Sequence, residues 1–242
     1  MLIGSYSLTL VFISLCVAIL ASYTALDLTG RIATAKGRAV HLWTAGGAFA
    51  MGIGVWSMHF IGMLAFTLPI DLGYDTTLTA LSLLIAVLSC GFALWLVSQP
   101  RLPAWQLAFG ALIMGAGISA MHYTGMAAMR MQPGIDYDPT LFGASLLIAV
   151  GASGAALWIA FRLRQHTPHV RLFRAGAAVI MGIAIVGMHY TGMAAARFAA
   201  GSFCGAAVSG LNGKGLDSLV LITTLAILSI ALLTSILDAR LE

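Results

Sequence analysis

The chain has 242 residues, 60% of them hydrophobic and 8% charged, with a net charge of +4. A soluble domain carries about 25% charged residues, so a chain this long and this poor in charge lacks the polar cover that an aqueous surface needs. A bilayer is its natural solvent, and the slight positive charge is no argument for nucleic acid as a partner; what matters is where the basic residues fall relative to the apolar runs.

A helix needs about 20 apolar residues to cross a bilayer, and seven runs qualify, at roughly 5–27, 42–65, 78–98, 105–129, 140–161, 174–197 and 217–238. The first, preceded only by Met1-Leu2-Ile3-Gly4, lacks the basic segment of a cleaved signal and is read as a retained span. Short connections predict antiparallel neighbours in one bundle. With the N-terminus outside, the inner segments hold Arg31, Lys36, Arg38, Arg101, Arg162, Arg164, Arg171, Arg174 and Arg240, and the outer ones only Arg130, Arg197 and Lys214. That asymmetry predicts the N-terminus out and the C-terminus in. The predicted fold is therefore all-α, a seven-transmembrane-helix bundle. Cys16 and Cys90 lie in apolar runs and Cys204 in a loop, so no disulfide framework is expected.

Internal repeats refine this picture. Residues 51–63 read MGIGVWSMHFIGM, 114–126 MGAGISAMHYTGM and 181–193 MGIAIVGMHYTGM; LLIAV at 83–87 recurs at 146–150. The unit is a helix pair present three times, at about 5–66, 78–131 and 140–198, with a seventh helix at about 217–238, all within one domain spanning 1–242. At about 100° per residue, the histidine, methionines and glycines of each motif share one face of about 140°. Small residues let membrane helices approach closely, so this face is expected to turn inward. His59, His122 and His189 then meet at one depth near the outer face, with Met58, Met63, Met121, Met126, Met188 and Met193 beside them. Imidazole and thioether form a soft donor set that suits copper, Cu(I) above all. No acidic residue sits on this face, which disfavours hard cations.

Blander readings stand beside this one. A single membrane histidine often only bonds a neighbouring helix, although an ionisable residue inside a membrane is a functional suspect by default. Met51, Met114 and Met181, two turns deeper, read as packing, with an ion path as the alternative. Tyr123 and Tyr190 either bond a ligand or anchor at the interface. The first repeat has Phe60-Ile61 where the others have Tyr-Thr. Arg130 and Arg197, eight residues past their histidines, break the charge trend; helix capping, lipid contact and anion steering all fit them, and Thr67 holds the matching place in the first repeat. His41, His166 and His169 read as solvated or headgroup-facing. The stretch from Ala199 to Gly215 reads as a flexible lid or a linker, and Cys204 as a free loop thiol.

Met121-His122-Tyr123-Thr124 and Met188-His189-Tyr190-Thr191, with the degenerate Met58-His59-Phe60-Ile61, resemble the MHYT family of bacterial integral-membrane sensory domains, over essentially the whole chain. The resemblance implies copper held by these Met and His residues and sensing of a diatomic gas, O2, CO or NO. It also implies a cytoplasmic output domain in cis or in trans, a c-di-GMP enzyme or a kinase, attached where the C-terminus is expected. The other partners expected are the lipid bilayer and, as one assembly option, a second copy in a homodimer. Alternatives to the copper sensor are haem held by axial His or Met, a copper-handling or transport protein, and a lipid-sensing module. Catalysis is not expected, because no carboxylate pair, activated nucleophile or phosphate-cradling loop accompanies the motifs.

Overall fold

A computed structural model describes residues 1–165, 169–208, 210–212, 215–216, 218–220, 222–224, 226 and 229. Its framework is six long helices: α1 (Leu8–Thr34), α2 (Arg38–Ala65), α3 (Thr76–Val97), α4 (Ala104–Ala127), α5 (Pro139–Leu163) and α6 (Val170–Ala195). Each is apolar enough to cross a membrane. Even the shortest, with 22 residues, extends about 33 Å, slightly more than a hydrocarbon core. The predicted seventh span, together with Lys214, Arg240 and His166, falls wholly or largely outside the described residues. Leu216 and Val220 are described, and both join the core beside α2, where Thr223 Oγ1 lies 3.1 Å from Ser57 Oγ.

Consecutive helices pack chiefly on one another, and α1 packs on α6, so the six close into a ring. Close approach is built in by one glycine per motif helix. A Cβ on Gly52, Gly115 or Gly182 would lie 2.6, 2.7 or 3.0 Å from the Cα of Val87, Val150 or Ile19, respectively. These three contacts are equivalent in the repeat and set α2 on α3, α4 on α5 and α6 on α1.

The end of the bundle that carries the His motifs is stitched by four two-residue antiparallel ribbons. They pair β1 (Ser5–Tyr6) with β2 (Phe66–Thr67), β3 (Gly73–Tyr74) with β8 (Leu211–Asn212), β4 (Met131–Gln132) with β7 (Phe203–Cys204), and β5 (Asp136–Tyr137) with β6 (Ala196–Arg197). The loop after α6 thus spans the motif end and is anchored twice, through β7 and β8. Cys204 is buried there, its thiol donating to the Met129 carbonyl at 2.9 Å. The expectation of a free loop thiol holds for its oxidation state only; the residue is part of the core under the loop.

At the opposite, basic end the guanidinium of Arg164 donates to the carbonyls of Val97 and Gln99, each at 2.7 Å, and closes the last turn of α3. Arg174 is buried between helices instead of lying in a solvated loop. It donates to Asp27 at 3.1 Å and to the Leu163 carbonyl at 3.1 Å. Asp27 also accepts from Arg31 at 2.9 Å. The basic loops at this end include exposed His169, and His41 is also exposed.

Candidate metal centre

Each motif histidine sits on the inner face of its helix for the reason the pattern suggests: the small and apolar residues that share its face seek other helices, not lipid. His59, His122 and His189 are 0%, 1% and 1% exposed. Their Nδ1 atoms form a nearly equilateral triangle: 3.1 Å from His59 to His189, 3.1 Å from His122 to His59 and 3.3 Å from His189 to His122. The rings meet edge to face, with centroids 4.9–5.1 Å apart.

Protons alone cannot satisfy such a triangle. In a neutral imidazole each Nδ1 is either a donor or an acceptor. Around three mutually touching nitrogens at least two must be alike, so at least one contact is donor against donor or lone pair against lone pair. Charging an imidazole in this buried setting carries a desolvation cost without a counter-ion. All three Nε2 atoms are buried with no hydrogen-bond partner among the described residues. A cation at the centre would remove the frustration, because His59, His122 and His189 could then all turn an Nδ1 lone pair to it. For a triangle of these edges the centre lies about 1.8 Å from each nitrogen, slightly inside ordinary metal–imidazole lengths. Among the described residues this is the one cluster of three such ligands.

The second motif glycine creates the space. A Cβ on Gly62 would overlap Nε2 of His189, one on Gly125 Nε2 of His59, and one on Gly192 Nε2 of His122. Every histidine therefore lies over the glycine of the next motif helix in a cyclic order. The sequence reading treated these glycines as packing residues. Their position on the histidine face was visible, but the neighbour they admit was not.

The six motif methionines are all buried. Met58, Met63, Met121, Met126 and Met193 belong to the apolar core that includes Phe60 and Cys204, and Met188 lines a cavity on the other side of the triad. Met51, Met114 and Met181 line the same cavity.

The tyrosines face away from the triangle. Tyr123 Oη lies 2.6 Å from Ser145 Oγ on α5, and Tyr190 Oη lies 3.1 Å from Ser14 Oγ on α1. In the first repeat, which lacks this tyrosine, the indole N–H of Trp56 donates to Ser82 Oγ on α3 at 3.0 Å. Ser14, Ser82 and Ser145 occupy equivalent places, seven residues into their helices after Ser7, Asp75 and Asp138. The hydroxyl missing at Phe60 is thus replaced by an indole three residues before His59.

Arg130 and Arg197 also act between helices. Arg130 pairs with Asp75 at 2.7 Å and Arg197 pairs with Asp138. Each aspartate is the N-cap of its helix: Asp75 accepts from the Leu78 N–H at 2.9 Å, and Asp138 from those of Thr140 and Leu141 at 3.0 and 3.1 Å. The Leu78 N–H, helped by the charge of Arg130, holds the Asp75 carboxyl below its ordinary value of 3.8. Thr67, at the matching place, meets Ser5 at 2.8 Å. These arginines therefore tie the motif end of one helix to the start of another and take no part in the triangle.

Comparison with known proteins points to one family. The family profile described as "MHYT: Bacterial signalling protein N terminal repeat" matches residues 52–110, 115–172 and 182–242, each match starting on a motif helix. The bifunctional diguanylate cyclase/cyclic di-GMP phosphodiesterase MucR of Pseudomonas aeruginosa is 67% identical over 186 residues, covering 77% of this chain and 27% of that protein. The cyclic di-GMP phosphodiesterase NbdA of the same organism is 43% identical over 75% of the chain and 23% of its own length. The signaling protein YkoW of Bacillus subtilis is 37% identical over 75% of the chain and 23% of its length. The chain thus spans about a quarter of each of these relatives. No solved structure matches it. With three profile matches on three helices that bring their histidines into one buried triangle, the chain belongs to the MHYT family of bacterial membrane-integral signalling proteins.

Proposed function

We propose that this domain is a membrane sensor whose His59, His122 and His189 hold one copper ion through Nδ1, and whose state is passed to a cytoplasmic c-di-GMP enzyme. The frustrated nitrogen triangle carries the metal reading. The choice of copper follows from charge and surroundings. The ligand set is neutral, no carboxylate joins it among the described residues, and the cost of burying an ion grows with the square of its charge. A monovalent soft ion is favoured over a divalent one, and the sulfur-rich surroundings select Cu(I). Three nitrogens within 3.3 Å of one another leave no slot for a porphyrin plane, which argues against haem.

When bound, copper supplies an open coordination position for a neutral diatomic gas. The protein's own residues do the rest. The glycines fix the rings, the apolar core excludes water, and the loop anchored by β7 and β8 closes the motif end. The inner segments carry most of the basic residues, which supports an outward N-terminus and a motif end facing the periplasm. The printed activities of MucR and NbdA support a c-di-GMP output.

Metal analysis of protein purified from membranes tests the site. Wild type is expected to retain about one copper per chain, as one triangle has room for one ion, and the triple His59→Ala, His122→Ala, His189→Ala variant none. Equal copper content in the two rejects the centre.

A further inference from the structure

On the basic-end side of the histidine triad the bundle lines a partly open cavity of about 60 Å³. Its wall repeats with the three motifs. Val55, Ile118 and Ile185 lie one turn before their histidines, and Met51, Met114 and Met181 one turn further. The facing helices leave the space open by presenting small residues, among them Ala25, Ala149 and Ala156. Beyond the three methionines lies a smaller void of about 30 Å³ that they also line, so one wall of the cavity is made of adaptable side chains.

The size and chemistry of this space restrict its occupant. It has room for two or three heavy atoms. An ordered water needs two to four polar partners, and apolar cavities of this kind stay dry and take up neutral molecules such as xenon. The wall is carbon and sulfur apart from a few hydroxyls, and Ser22 Oγ, 3% exposed, has no hydrogen-bond partner among the described residues. A neutral diatomic fits: an apolar body with one end able to accept from a hydroxyl. Such a molecule dissolves in lipid and reaches the space between helices without a polar channel.

We propose that this cavity is a docking chamber for a neutral diatomic molecule, one helical turn from the histidine triad and separated from it by the Val55–Ile118–Ile185 layer. The proposal rests on the metal reading above. The chamber sets how fast the gas arrives, and the triad sets how tightly it is held.

Xenon NMR on the full chain in lipid nanodiscs tests the chamber without any metal. Saturable xenon binding is expected in wild type, unchanged in the triple His→Ala variant. Ala149→Leu, which fills the chamber, should abolish it, and Ile118→Ala, which enlarges it, should strengthen it. In the copper(I)-loaded protein, flash recombination of carbon monoxide should slow several-fold in Ala149→Leu and quicken in Ile118→Ala, with copper content unchanged in both. No saturable xenon binding in wild type overturns the proposal. So does a carbon monoxide rate that ignores both substitutions while xenon binding responds to them. Absence of copper from wild type with xenon binding intact overturns the metal reading and, with it, the route to the triad. If Ala149→Leu fails to fold, Ile118→Ala alone decides, since cavity enlargement leaves the packing of the other helices in place.

Discussion

Three glycines and three histidines account for the centre, and the glycines are the more sensitive half. Each imidazole is clamped over a glycine of the next motif helix, which holds the three Nδ1 atoms facing one another. Gly125→Ala should push the His59 ring aside and break the triangle while leaving every donor atom in the chain. Copper retention is expected to fall sharply, with helix content by circular dichroism unchanged. Gly143→Ala, in α5 where a Cβ would meet nothing within 4 Å, is the control; it should keep its copper and gain up to about 1 kcal/mol of helix propensity. Full copper content in Gly125→Ala would mean that the rings are held by something else. The histidine register was legible in the sequence because a repeated motif at constant spacing places its residues at one depth. Which ring nitrogens meet was not. The meeting of three Nδ1 atoms depends on ring rotation, which a neighbouring helix decides and no single-helix projection contains.

Helix ends show a different balance. Asp75 and Asp138 stand before apolar runs in the manner of N-caps, yet their pairing with Arg130 and Arg197 crosses between loops far apart in sequence. That is why the arginines looked like exceptions to the charge trend. Removing the cap of α5 by Asp138→Ala should cost about 1 kcal/mol, seen as a lower melting temperature in detergent; Arg197→Ala should cost less, because an exposed pair contributes little. Asp75 adds a pH signature. Its folded pKa is depressed below 3.8, chiefly by the Leu78 N–H, so its contribution is fully present above the ordinary carboxylate range and fades as pH falls through the depressed value. Thermal melts from neutral pH down to about pH 2 should show a loss in wild type that is smaller in Asp75→Asn. An identical acid response in the two proteins would remove Asp75 from the account. The same scale explains the unequal repeats. Phe60 removes the hydroxyl that Tyr123 and Tyr190 supply, and Trp56 restores a donor to the equivalent serine from one turn away. Alignment of the motifs shows the loss but not the repair.

The molecule as a whole is a ring whose last joint, α1 against α6, differs from the others. The Gly182–Ile19 approach repeats the contacts elsewhere, and here a buried arginine, Arg174, is paired with Asp27 across the joint. Asp27 falls where the later repeats have Trp95 and Trp158. An acidic residue inside an apolar run was the available sign, and counting Arg174 among the inner-loop cations hid its partner. Arg174 is 4% exposed, and Gly30 makes room for it, since a Cβ there would overlap the guanidinium. Removing Asp27 strands the buried guanidinium and costs about 3–5 kcal/mol, whereas replacing both members with apolar residues is often nearly neutral; removing Arg174 alone leaves Asp27 paired with Arg31. Asp27→Leu should therefore lower the melting temperature strongly, and the Asp27→Leu, Arg174→Leu double variant should recover most of it. The triad lies at the far end of the same helices, so the two lesions also report on coupling. If α1–α6 closure holds α6 in register, the single variant should lose copper affinity along with stability, and the double variant should regain both together. A double variant that is stable but still poor in copper would show that the ion pair positions α6 specifically. Additive losses in the double variant would show that the two residues do not act as a pair.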